Sequence, residues 1–98
     1  MTMEVKKEEK NIVVKVDGWL DVNSSKDFTD EIEKLSGFEN LTIDFEAVDY
    51  ISSAGVRAIV AAYKKSEESN AKFKVINIKS SVLEIFKMTG LDKKMDLS

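Results

Sequence analysis

Short runs of alternating apolar residues, separated by stretches in which apolar residues recur every three or four positions, constrain this chain more than anything else in it. Met1, Met3 and Val5 alternate with polar residues and predict a first strand ending near Lys7. Glu8 to Asn11 reads as a turn, and Ile12-Val13-Val14-Lys15-Val16 as a second, largely buried strand. So short a connection makes these two strands antiparallel neighbours. Gly18-Trp19-Leu20-Asp21 breaks the second strand, and Asn23-Ser24-Ser25 offers helix-capping chemistry. Phe28, Ile32 and Leu35, at spacings of four and three, then predict an amphipathic helix ending at Gly37.

Leu41, Ile43 and Phe45 alternate as a third strand, with a short acidic turn between Asp44 and Asp49. Val56, Ile59, Val60 and Tyr63 mark a second helix that begins at Ser52 or Ser53 and runs to about Ser69. Phe73, Val75 and the Ile76/Ile78 pair form a fourth strand after Asn70. Ser80 or Ser81 caps a third helix with Val82, Ile85 and Phe86 as its apolar stripe and Gly90 as its stop. Leu91 to Leu97 is long enough only for a last strand or turn.

The order β-β-α-β-α-β-α, with no internal repeat and no linker, predicts one α/β domain over residues 1–98. Its sheet should be mostly parallel, with four to five strands, three or four helices and right-handed crossovers. Ninety-eight residues support a single modest core. In such a sheet the C-terminal ends of the parallel strands share one edge, where ligands of open α/β folds collect. Asp21, the Asp44–Asp49 segment with Ser52 and Ser53, and Asn77-Ile78-Lys79 all follow strands there.

Composition narrows what that edge can do. The chain has no histidine and no cysteine. That removes the commonest general base and metal ligand, any disulfide framework, and a Ser-His-Asp hydrolase within this chain. Enzymatic activity is therefore not expected. An apolar share of 43% and a charged share of 34% suit a soluble globular protein. No apolar run nears the ~18 residues of a membrane span, and the N-terminus lacks a signal-peptide core, so a cytoplasmic domain without membrane insertion is expected. Residues 1–53 carry 6 basic and 13 acidic side chains, net −7, whereas residues 54–98 carry 9 basic and 5 acidic, net +4. The acidic front half disfavours a nucleic-acid backbone as partner, and the scattered lysines behind it read as solvated surface.

Ser52-Ser53-Ala54-Gly55 has three readings. A serine there can be an ordinary N-cap, which needs no function. As a nucleophile it lacks a base, and the Gly-x-Ser-x-Gly elbow is absent, since Ile51 and Ser52 stand where it would need glycine. As a phosphoacceptor it would present a phosphate to the free amides of a helix N-terminus. Asp21, Asp44 and Asp49 invite comparison with a magnesium site, but aspartates at strand ends are ordinarily turn and cap residues, and no metal or other cofactor is expected. Trp19 reads equally as a partner-facing anchor or as a plug over one end of the core. Phe28, Tyr63 and Phe86 lie on helical stripes and are expected in the core.

Over nearly its full length the chain resembles the STAS domains of anti-sigma factor antagonists. Gly18-Trp19-Leu20-Asp21 resembles the family's Gly-x-Leu-Asp after the second strand, with Ser24 at the following Ser/Thr, and Asp44 matches a strand-three aspartate. Ile51-Ser52-Ser53-Ala54-Gly55 resembles the hallmark apolar-Asp-Ser-Ser/Thr-Gly, in which the serine after the aspartate, here Ser53, is phosphorylated. Val82-Leu83-Glu84-Ile85-Phe86 and Met88-Thr89-Gly90-Leu91 resemble the third helix and its exit. Two positions depart from the pattern: Ser52 stands for the aspartate and Ala54 for the second hydroxyl residue.

The resemblance implies a domain that, unmodified, binds an anti-sigma factor and frees a sigma factor. That anti-sigma factor is a serine kinase, and the only ATP involved is the ATP it carries. Phosphorylation of Ser53 would end the binding, and a serine phosphatase would restore it. The implied partner- and kinase-binding surface is Asp21, Ser24, Asp44, Asp49, Ser52, Ser53, Ala54 and Gly55. The alternative is a STAS binding module that is never phosphorylated, serving a scaffold or a membrane-transporter complex.

Overall fold

The computed structural model describes residues 1–98. Five strands and three α-helices alternate as β1 (Thr2–Glu8), β2 (Asn11–Leu20), α1 (Val22–Glu33), β3 (Asn40–Ile51), α2 (Ser53–Glu68), β4 (Lys72–Ile76), α3 (Ser80–Met88) and β5 (Asp96–Leu97). A single 3-10 turn, Leu91–Lys93, precedes β5. The strands lie side by side in chain order; β1 is antiparallel to β2 and every later neighbour is parallel. The mostly parallel α/β sheet expected from the sequence forms, with five strands where four to five were expected and three α-helices where three or four were.

One face of the sheet builds the core. Ile12 and Val14 pair in register with Leu41 and Ile43, which pair with Phe73 and Val75, and all six are buried. Their sequence neighbours Lys15, Lys72 and Lys74 point the other way and are exposed, as the period-two geometry of strands requires. From α1, Phe28 and Ile32 close over this apolar face; from α2, Val56, Ile59 and Ala62; from α3, Val82 and Phe86. Phe86 meets Phe45 of β3 with ring centroids 6.4 Å apart. Phe28 and Phe86 are fully buried as expected, whereas Tyr63 is only partly buried, its ring against Phe73 and its hydroxyl donating to Glu67.

Four local expectations need correction. Gly18 does not end β2. The strand continues to Leu20 through a register shift at Gly18/Trp19, and glycine tolerates the φ of 106° found there. The acidic stretch after Phe45 is not a turn: β3 runs on to Ile51, burying Val48 and Ile51 and pairing with Asp17–Leu20. The N-cap of α1 is Asp21 rather than the Asn23-Ser24-Ser25 group, and the helix ends at Glu33 with Lys34 as C-cap, short of Gly37, with Leu35 and Phe38 buried beyond it. Lys79, not Ser80 or Ser81, occupies the N-cap of α3, and no side chain caps that helix. The chain reaches Lys79 from Asn77, whose φ of 57° turns the backbone early.

Candidate functional site

Because β2 and β3 end level, with Leu20 opposite Ile51, the N-termini of α1 and α2 emerge side by side. Each start is fixed by a different capping device.

At α1, the Asp21 carboxylate accepts from the Ser24 amide at 3.0 Å, and the Asp21 amide donates to Ser24 Oγ at 2.8 Å, a reciprocal capping box. Ser24 Oγ also donates to the Trp19 carbonyl at 2.8 Å, tying the helix start to the end of β2. These bonds to the charged form hold the Asp21 carboxyl below its ordinary value of 3.8, the Ser24 amide contributing most. A group whose folded value is depressed stabilises the fold fully above its unfolded value and loses that contribution as pH falls through the folded one. Asp21→Asn, which keeps a capping acceptor without the titration, should therefore flatten the fall of stability on acidification below the ordinary carboxylate value, measured by urea unfolding across the acid range.

At α2, Ser52 is the N-cap. Its Oγ accepts from the Gly55 amide at 3.1 Å and donates to the Leu20 carbonyl at 3.3 Å, and its amide donates to that same carbonyl at 2.9 Å. Ser52 is half-buried and its hydroxyl is used on both sides. Ser53, the first helical residue, is exposed, and its hydroxyl takes no part in the hydrogen bonds within the chain. The sequence left open which serine caps the helix, and the structure answers Ser52. Ser52→Ala should cost about 0.5–2 kcal/mol of stability, measured by chemical denaturation, whereas Ser53→Ala should cost little.

The remaining expected site residues are distributed as follows. Asp44 lies inside β3, level with the end of β4, and its Oδ1 accepts from the Glu46 amide at 3.0 Å and from Asn77 Nδ2 at 3.2 Å. Asp49 is exposed and paired with Lys79. Ala54 is half-exposed beside Ser53. Ser24 and Gly55, expected on the partner-facing surface, are buried, the first by its capping box and the second by the end of β2. Of the residues expected on that surface, Asp49 and Ser53 are exposed, whereas Asp21, Asp44, Ser52 and Ala54 are half-buried, Asp44 being turned towards Asn77. The three aspartates have separate partners, and no group of three potential metal-ligating side chains converges.

Pairing register adds Tyr50, and contacts that spacing alone could not give. Trp19 lies opposite Tyr50, ring centroids 5.5 Å apart, and the two are 61% and 47% exposed. Trp19 is thus no plug over the core; it and Tyr50 form an exposed aromatic pair three residues from Ser53. Asn77 and Lys79, expected on this edge after β4, are there, and the fold adds their partners, Asp44 for Asn77 and Asp49 for Lys79. No helix of the chain is long and apolar enough to cross a membrane.

Known proteins share this fold. The STAS domain family matches residues 2–98, and the chain belongs to that family. The anti-sigma-B factor antagonist of Bacillus subtilis (strain 168) is 26% identical over 99 residues, spanning 100% of this chain and 91% of that protein. The crystal structure of an anti-sigma factor antagonist from Mycobacterium paratuberculosis superposes with a TM-score of 0.87 at 26% identity, covering 98% of this chain and 83% of that one. The fold is also that of the Bacillus cell fate determinant SpoIIAA in its phosphorylated form, with a TM-score of 0.79, 16% identity and coverage of 99% and 91%. The chain is homologous to anti-sigma factor antagonists and shares their fold.

Proposed function

We propose that this STAS domain is an anti-sigma factor antagonist: unmodified, it binds an anti-sigma factor that is also a serine kinase, frees a sigma factor, and is released when Ser53 is phosphorylated. The observation that carries the reading is the difference between two adjacent hydroxyls. Ser52 Oγ is consumed by the Gly55 amide and the Leu20 carbonyl, whereas Ser53 Oγ is exposed and unused at the start of α2. Ser52, at the position an aspartate holds in the family's hallmark pattern, is therefore spent as the cap of α2, which leaves one acceptor.

In the modification step the γ-phosphoryl group of the kinase's ATP passes to Ser53 Oγ, ADP leaves, and the hydroxyl proton passes to a base of the kinase. A serine phosphatase reverses it with water, releasing inorganic phosphate. The domain contributes position and no catalysis of its own, in keeping with a chain that has no histidine or cysteine. Use of ATP by the partner places the cycle in the cytoplasm. The phosphate adds about 1.5–2 negative charges at neutral pH. The helix N-terminus offsets at most ~2 kcal/mol of that, so the domain tolerates the group. A partner surface closed over Ser53 does not, because it must desolvate a dianion beside Asp21.

Calorimetric titration of the unmodified chain with the anti-sigma factor kinase of the same genome tests the reading. A dissociation constant of about 1 μM or tighter is expected for a standard-size interface. No binding to the kinase, with binding to a scaffold or to a transporter segment instead, would make this a module that is never phosphorylated.

A further inference from the structure

We propose that Arg57 grips the phosphate once Ser53 carries it, forming a phosphoserine–arginine pair one turn apart on α2 that holds the modified state. The inference rests on the phosphorylation reading above and deepens it. Ser53 is the first residue of α2 and Arg57 lies four residues on; both are exposed. Residues at this spacing are neighbours on a helix surface, and the Cα–Cβ bonds tilt towards the N-terminus, so the Arg57 side chain extends back over the turn that carries Ser53. An acidic group N-terminal to a basic one is also the favoured order for such pairs.

Arg57 is the only arginine among the 15 basic residues of the chain, and it is unpaired. The five ion pairs of the unmodified protein use Lys6, Lys10, Lys34, Lys79 and Lys87. A guanidinium binds two phosphate oxygens in parallel, which an ammonium does not. Arg57 lines a shallow depression between α1 and α2 together with Ala54, Lys26 and Asp30. Lys26 gives the depression a second cation and Asp30 a single opposing carboxylate. Asp21 is engaged in its capping box and Asp49 is paired with Lys79. Within this depression two cations, Arg57 and Lys26, stand against the one carboxylate of Asp30 before modification. With the phosphate held by Arg57, its dianion persists to lower pH and water has less access to phosphorus, so the phosphatase acts more slowly.

The test needs no kinase. Phosphoserine is incorporated at position 53 during translation, and the second ionisation of the phosphate is followed by 31P NMR in the otherwise wild-type chain, in Arg57→Gln and in Lys26→Gln. Wild type should titrate about 0.3 unit or more below Arg57→Gln, and Lys26→Gln should recover less than half of that difference. Dephosphorylation by a serine phosphatase should be severalfold faster in Arg57→Gln. Equal midpoints in wild type and Arg57→Gln, or an equal shift from Lys26→Gln, would overturn the pair. Since the phosphate is installed directly, failure of a kinase to modify Ser53 would sink the functional reading and leave this measurement standing. Equal titrations would sink the arginine pair and leave the reading standing.

Discussion

Replacing Ser53 with aspartate is expected to weaken binding to the anti-sigma factor roughly 30-fold or more, while Ser53→Ala leaves the affinity within about threefold. The asymmetry follows from where the two serines spend their hydroxyls. Ser53 Oγ has no partner within the domain, so deleting it removes nothing that the fold uses. A carboxylate at the same position is harmless in the free protein, since the first turn of a helix favours an acidic group. It becomes costly only when a partner covers it. Truncating or mismatching a buried charge at an interface typically costs about 2–5 kcal/mol, and every 1.4 kcal/mol is tenfold in affinity. Asp49 adds little to this repulsion because Lys79 is paired with it, which leaves the Asp21 carboxylate as the neighbouring negative group. Thermal melts of Ser53→Asp matching or exceeding the wild type would show that the loss comes from the interface and not from unfolding.

The largest effect on stability is expected at Gly55. A Cβ at this position would lie 2.6 Å from the Leu20 carbonyl oxygen and 2.7 Å from Ile51 Cγ1. Leu20 O cannot simply move aside, because it accepts from both the amide and the hydroxyl of Ser52. Yielding would therefore break the capping arrangement as well as the packing. Helix propensity pulls the other way by ~1 kcal/mol for alanine, which softens Gly55→Ala. Valine has no such compensation. Gly55→Val should lower the free energy of unfolding by about 3 kcal/mol, read as a reduced urea midpoint at unchanged slope. A midpoint equal to the wild type would mean that α2 does not start in contact with the end of β2. The glycine of the motif is in this sense a packing residue: it brings the start of α2 close enough for Ser52 to reach Leu20, and so leaves Ser53 outside.

Strong periodicity made most of the fold legible. Phe28 and Ile32 on α1, Ile59 on α2, and the alternation of Leu41, Ile43 and Phe45 on β3 each have one buried face, and burial follows the spacing. Where the sequence misleads, a local signal competes with a longer-range one. Gly18 looks like a breaker by residue type, and its φ is indeed positive, yet β3 beside it keeps the strand paired. Glu46 and Asp49 make the segment after Phe45 look like an acidic turn, but Val48 and Ile51 have core to fill and hold it extended. Three serines, Ser24, Ser80 and Ser81, looked like caps by residue type. Ser24 instead sits at the third position of a box headed by Asp21, and the other two lie inside the first turn of α3. The Trp19–Tyr50 pair and the reach of Lys79 to Asp49 depend on which strands are neighbours and in what register, information that no single stretch of sequence contains.

Incubating the protein with its partner kinase and ATP, then locating the phosphate by peptide fragmentation in a mass spectrometer, tests the central claim most directly. Because Ser52 Oγ is committed to the Gly55 amide and the Leu20 carbonyl, a single phosphate on Ser53 is predicted, with none on the Ser53→Ala variant. Phosphate on Ser52, or no phosphate at all under conditions in which the kinase binds the domain, would contradict it.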